Sequence, residues 1–388
     1  MTDDLKPLFQ LDPAVTFLTH GTYGACPRPV FAAYQDWQAR LERQPVAFMD
    51  PRHLAARLAE VRTALGAEIG ADPDDLVPVP NATAGLNIVA RSLPLAPGDE
   101  ILTTDHEYAA LEKTWAFVAA RTGAAIRRVT VPLPLTRAAD FTDTILAGIT
   151  PRTRVLFLSH VTSPTALWFP LERAVAAAGA RGIWTVIDGA HAPGQIALDL
   201  TALGADFYAG NCHKWLMAPK GSAFLHARKP VQAMLNPAII SHGWTADGAS
   251  LGPFGHSAFQ DAFQFQGTRD PAAFLAVPAA LAFRHAHRWD EVASRCRDLA
   301  QATAARVAAL TGLAPLADPR FCAPQMIAMP VPDCESLAMR DRVLATYGIE
   351  IPFPRWQRRS FARLSVQGYN TLAEMDALCA ALAEVFGF

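Results

Sequence analysis

Two short segments of this chain carry residue types that do chemistry. Asp188-Gly-Ala-His191 closes one apolar run, and Gly210-Asn-Cys-His213-Lys214-Trp follows the next. The run Ile183-Trp-Thr-Val-Ile187 reads as a buried parallel strand. That sets Asp188 at a carboxyl strand end, where open α/β sheets hold their ligands. A carboxylate there can keep a ring nitrogen protonated. Lys214 comes after the short run Asp206-Phe-Tyr-Ala-Gly210 and offers an amine able to form a Schiff base. An acid that completes an electron sink and a lysine that makes a covalent bond are what a pyridine-carbonyl cofactor requires.

The elements that position these residues follow from the pattern around them. From about Val77 to His226, strand-like runs alternate with Ala-rich helical stretches, which predicts a mainly parallel sheet covered on both faces. The strands are expected at Ile101 to Thr104, Ala125 to Val129, Val155 to Ser159, Ile183 to Ile187, Phe207 to Ala209 and Ser222 to His226. Helices are expected at Glu107 to Arg121 and Leu171 to Arg181, and earlier at Pro29 to Arg43 and Arg52 to Ile69, with a turn at Gly70 to Asp74. Pro230 to Asp270 is rich in Gly, Pro, His and Phe without periodicity and reads as a long crossover or lid. Pro271 to Leu310 reads as helical, and helices at Ser336 to Tyr347 and Leu372 to Val385 belong to a smaller α+β region. The expected division is 1–245, an N-terminal segment with the large α/β domain, and 246–388, the crossover with the small C-terminal α+β domain.

These motifs, with Asn81-Ala-Thr-Ala-Gly-Leu86, Phe265-Gln-Gly-Thr-Arg-Asp270 and Arg363-Leu-Ser-Val-Gln-Gly-Tyr-Asn-Thr371, resemble the class V aminotransferase family. Thr19-His-Gly-Thr-Tyr-Gly-Ala-Cys-Pro-Arg28 and Gly267-Thr-Arg-Asp270 are similar to its isopenicillin N epimerase-like branch. The resemblance spans nearly the whole chain. It implies fold type I of the pyridoxal 5'-phosphate-dependent transferases, that cofactor, an α-amino acid substrate and a homodimer with shared active sites.

The resemblance also implies roles. Lys214 binds the cofactor and Asp188 faces its pyridine nitrogen. Ala82, Thr83 and Ala84, at a helix start where N–H groups and the dipole favour an anion, hold the phosphate; locally, Thr83 also suits an ordinary cap. His213 is a second phosphate contact, and Thr268 is one supplied by the partner subunit. Tyr108 stacks on the ring, although packing alone also accounts for a tyrosine there and His106 stands nearby. His191 and Thr162 contact the phenolic oxygen. Arg363 grips the substrate's α-carboxylate with its planar fork. Arg355, Arg358 and Arg359 form a solvated face, or one of them reads a second acidic group.

Breaking the Cα–H bond is common to epimerisation, β-elimination and transamination. Cysteine desulfurases of this family carry a nucleophilic cysteine shortly before the carboxylate-binding arginine, whereas no cysteine lies between Cys334 and Cys379. A persulfide route through that loop therefore lacks its nucleophile. Epimerisation or racemisation is placed slightly ahead of β-elimination of a cysteine-like substrate, with transamination behind and a catalytically silent scaffold as the reading from another class. Epimerisation calls for a second acid/base, for which His20, Tyr23 and His242 are candidates, each also suited to a purely structural role; His20 and Tyr23 also stand as substrate contacts.

Composition excludes other classes. The chain has 388 residues, is 51% hydrophobic and has net charge −2, so it supports a large core and offers no basic field for nucleic acid. No apolar run approaches the ~18 residues of a membrane span, and the start is acidic where a secretory leader is basic, so a cytoplasmic protein is expected. The six cysteines show no C-x-x-C pair, which argues against structural zinc and a disulfide framework; no metal is expected. The phosphate-loop spacing is absent around Lys220-Gly221, and no G-x-S-x-G elbow is present.

Overall fold

A computed structural model describes residues 5–248 and 252–388. Near the N-terminus lies a two-residue strand, β1 (Thr16–Phe17). The main sheet is built from β2 (Leu76–Val79), β3 (Glu100–Thr104), β4 (Ala125–Val129), β5 (Thr153–Ser159), β6 (Trp184–Gly189), β7 (Phe207–Asn211) and β8 (Ala223–Ala227). Their order is β2-β8-β7-β6-β5-β3-β4. Only β8 runs against its neighbours; β7, β6, β5, β3 and β4 are mutually parallel. Strands β3 and β7 are buried along their whole length, as expected of strands covered on both faces.

The parallel pairs are joined by helices. Ala109–Thr122 connects β3 to β4, and Glu172–Gly179 connects β5 to β6. Parallel connection brings the carboxyl ends of β5, β6 and β7 to one edge. Ser159 pairs with Asp188, and Asp188 with Ala209. Gly189 permits this close packing, because a Cβ there would lie 1.9 Å from the Tyr208 ring.

The sequence pattern misses β2, whose four residues include Pro78 and follow the turn at Pro73–Asp75. The stretch predicted helical from Pro271 onward is three helices, Ala272–Leu275, Val277–Ala286 and Trp289–Thr311. Within the predicted crossover, Ala258–Gln264 forms a helix capped by Ser257. Residues 249–251 of that crossover lie outside the described residues.

The C-terminal part contains β9 (Met326–Val331), β10 (Ile349–Glu350), β11 (Arg355–Trp356) and β12 (Arg359–Ser365). β11, β12 and β9 form a three-stranded antiparallel sheet. The helix Leu372–Phe386 begins with a capping box between Thr371 and Glu374. The N-terminal segment joins this part directly: β1 pairs in parallel with β10, and Ser365 N–H donates to the Leu18 carbonyl at 2.8 Å. That crossing sets the short helix His20–Tyr23 beside the end of β12. Among the described residues, no helix is long and apolar enough to cross a membrane.

Candidate functional site

A cleft of about 610 Å³ opens at the carboxyl ends of β5, β6 and β7. Lys214, Asp188, His191 and Arg363 all line it, although they come from three separate regions of the chain. Asp188 ends the buried run of β6, and its Oδ1 accepts the Ala190 N–H at 2.9 Å. Burial pushes its carboxyl pKa up, against the pull of that N–H and of Lys214. Lys214 follows β7, with its Nζ 3.0 Å from His191 Nε2. Burial and then the charge of Arg363 hold the lysine below its ordinary range, while Asp188 opposes them. An amine easily obtained in neutral form is one that can act as nucleophile and base.

Arg363 lies on β12, buried. One terminal nitrogen donates to the Ser163 carbonyl at 2.6 Å and the other to Thr22 Oγ1 at 3.0 Å. Its guanidinium is thus aimed by a residue from the turn after β5 and by one from His20–Tyr23. Tyr23 and Tyr108 also line the cleft and are exposed. Tyr108 immediately precedes the helix Ala109–Thr122. His106 is not the ring that faces the cleft: it is fully buried and stacks on Trp356, with centroids 4.2 Å apart.

The helix Ala82–Ser92 brings its N-terminus to the same cleft. Two of its three expected donors are already engaged. Ala82 N–H donates to Asn211 Oδ1 at 2.8 Å and Ala84 N–H to Asn81 Oδ1 at 2.8 Å. Thr83, between them, lines the cleft, and so does His213, whose Nδ1 lies 3.2 Å from the Ser222 carbonyl. Of the three residues at this helix start, Thr83 is the one that lines the cleft.

Thr162 and His242 lie outside the cleft, contrary to their expected contacts, while His20 and the arginine cluster fit the structural readings given beside the functional ones. His20 is fully buried below the cleft, with Nδ1 2.9 Å from the Tyr369 hydroxyl and Nε2 3.0 Å from the Lys214 carbonyl. Both nitrogens are committed and burial lowers its pKa to about 3, an arrangement that suits support of the lysine's backbone. Thr162 is buried inside its turn, bonded to Thr165 Oγ1 at 2.8 Å and to Leu167 N–H at 2.8 Å; Val161 and Ser163 face the cleft instead. His242 is exposed against Phe265 and does not line the cleft. Arg355 pairs with Asp333 at 2.9 Å and Arg359 lies over Phe361, and neither these nor Arg358 reach the cleft. Thr268 is exposed, outside the cleft of its own chain.

Two residues escaped sequence reasoning. Ser159 lines the cleft, and its Oγ donates to Glu107 Oε2 at 2.6 Å. Glu107 is buried, also accepts from Thr104 Oγ1 at 2.7 Å, and has its pKa pushed up to about 7 by burial, with Asp188 adding to the rise. No cysteine lines the cleft, and burial pushes the thiols of Cys26 and Cys296 up to about 12. Among the described residues, no cluster of His, Cys, Asp or Glu is suited to a metal ion.

The family model described as aminotransferase class-V matches residues 26–378. An isopenicillin N epimerase of Amycolatopsis lactamdurans is 36% identical, covering 97% of this chain and 96% of its own. A putative L-cysteine desulfhydrase of Oryza sativa subsp. japonica is 28% identical over 96% of this chain and 85% of its own. The crystal structure of the cysteine desulfurase CsdA from Escherichia coli superposes with a TM-score of 0.82 at 24% identity, covering 100% of this chain and 98% of the other.

Proposed function

The chain belongs to the class V aminotransferase family and is a pyridoxal 5'-phosphate-dependent enzyme of fold type I acting on an amino acid, and from that premise we propose a β-eliminating carbon–sulfur lyase. Its substrate in this reading is cysteine or an S-substituted cysteine. The Cα–H and Cβ–S bonds break, and the sulfur leaves as sulfide or thiol.

The cleft fits the cofactor on its own atoms. Asp188 is a buried carboxylate, His191 Nε2 faces Lys214, and Thr83 stands at a helix N-terminus. Asp188 would face the pyridine nitrogen, Thr83 and His213 the phosphate, His191 the phenolic oxygen and Tyr108 the ring. When bound, the cofactor supplies the electron sink for charge developing at Cα. Lys214 takes the Cα proton, and the depressed pKa of its amine suits that step near neutral pH. Arg363 holds the α-carboxylate.

One observation moves elimination ahead of epimerisation: His20, a candidate for the second acid/base, is locked beneath Lys214. Elimination needs one proton-accepting lysine, and the absence of a cleft cysteine leaves the sulfur free to depart without a persulfide. Epimerisation stays as the second reading, favoured by the 36% identical relative and by Tyr23 at the cleft. Incubation with an amino-acid panel separates the two. Sulfide or thiol in step with keto acid supports elimination, whereas loss of chirality without keto acid transfers the assignment to Tyr23-assisted epimerisation.

A homodimer belongs to the same proposal. The exposed Thr268 in Gly267-Thr-Arg269 supports a segment offered to a second copy. Sedimentation should then show a dimer, and a fully active, cofactor-loaded monomer contradicts it.

A further inference from the structure

The cleft carries one more cation than this chemistry uses. Lys220 lines it in company with Tyr23, His213 and Gly221. Its Nζ donates to the Gly24 carbonyl at 2.9 Å. Gly24, at a φ of 72°, ends the helix His20–Tyr23, and a Cβ there would lie 1.9 Å from the His213 carbonyl. Lys220 is thereby tethered between the lysine loop and the segment that carries Tyr23.

An ammonium has three donors, and a single neutral carbonyl satisfies one of them. Among the described residues no carboxylate forms an ion pair with Lys220, and burial keeps the neighbouring Cys26 thiol protonated. Lys214, Lys220 and Arg363 face the cleft against one acid, Asp188. Asp188 is already committed to the base of the site. Lys220 is exposed and lines the cleft, so its remaining donors are open to a ligand group.

We propose that Lys220 forms a subsite for a second anionic group, so that the substrate is an α-amino acid whose side chain ends in a carboxylate. Arg363 takes the α-carboxylate and Lys220 the distal one. This rests on the reading of the cleft as an amino-acid site, and it holds for elimination and epimerisation alike. It assigns to Lys220 the acid-reading role that Arg355, Arg358 and Arg359 are too far from the cleft to perform.

The test compares S-(2-carboxyethyl)-L-cysteine with S-propyl-L-cysteine, which differ in the terminal group alone. Dissociation constants are read on the holoenzyme from the change in its visible absorption band, so turnover is not needed. The parent enzyme should bind the carboxylate-bearing compound about ten- to a hundredfold more tightly, as for a charge-assisted hydrogen bond. Lys220→Gln keeps a donor for the Gly24 carbonyl but removes the charge, and should bring the ratio to within about twofold of one. Lys220→Arg should keep most of the preference.

A preference that survives in Lys220→Gln, or its absence from the parent enzyme, overturns the proposal. So does a fall in affinity of the Lys220→Gln apoprotein for pyridoxal phosphate with the ratio intact, since that places Lys220 on the cofactor's phosphate. If the ratio behaves as stated but no thiol is released, elimination fails while the subsite stands.

Discussion

Lys214 Nζ lies 3.0 Å from His191 Nε2, and His191 Nδ1 is buried without a partner. If the lysine donates to Nε2, the ring carries its proton on Nδ1 and presents a donor that lacks an acceptor. Nε2, the ring nitrogen on the lysine side, is the atom that would meet a cofactor oxygen beside Lys214. His191→Leu should therefore weaken binding of pyridoxal phosphate to the apoprotein about ten- to a hundredfold, measured by fluorescence titration. Unchanged affinity would remove His191 from the cofactor contacts.

Asp188 is the buried carboxylate assigned to the pyridine nitrogen. Removing one partner of a buried ion pair costs about 3–5 kcal/mol. Asp188→Asn should then lower kcat by roughly two to three and a half powers of ten, if the whole effect is expressed in the transition state. A loss below about threefold would show that Asp188 does not hold that proton.

Arg363 presents two terminal nitrogens aimed by Ser163 and Thr22. A lysine offers a point charge in place of that fork. Arg363→Lys should raise KM for α-amino acids by about tenfold or more while affecting kcat less, in steady-state kinetics. An equal loss for a primary amine lacking the carboxylate would argue against a carboxylate clamp.

Glu107 gives the apoprotein a pH signature. Burial raises its pKa from 4.5 to about 7, so the folded state binds the extra proton between those values. The resulting stability is fully present below about pH 4.5 and is lost as pH rises through 7, on the order of 3 kcal/mol. Asp188, also raised by burial, acts in the same direction. Glu107→Gln, which keeps a partner for Ser159 and Thr104, should flatten this dependence in urea unfolding from pH 4.5 to 8. An identical slope in both proteins would mean that Glu107 does not titrate in that window.

Much of the site was legible because its chemistry sits at strand ends. Asp188 follows a continuous apolar run, and Lys214 and Arg363 lie in recognisable motifs. What was not legible depends on contacts between distant segments. His20 meets the Lys214 carbonyl across 194 positions, a placement set by β1 pairing with β10. His106 turns away because Trp356 covers it, and no local pattern announces that stack. Glu107 lies in the non-periodic Asp105-His-Glu-Tyr108 turn, and only the approach of β5 reveals its bond to Ser159. The occupied Ala82 and Ala84 donors likewise require the position of Asn211 and the cap geometry of Asn81. Strand β2 was hidden by its brevity and by Pro78, which suits its place at the edge of the sheet.

Hydrogen exchange at Cα in deuterium oxide, followed together with sulfur release, tests the central claim most directly. With a cysteine-type substrate the enzyme should incorporate deuterium at Cα or in the keto acid product and release sulfide or thiol. Lys214→Ala should lose both, and each of the six single cysteine replacements should retain both. Sulfur release that persists in Lys214→Ala, or that disappears on replacing one cysteine alone, would contradict proton abstraction by Lys214 without a persulfide.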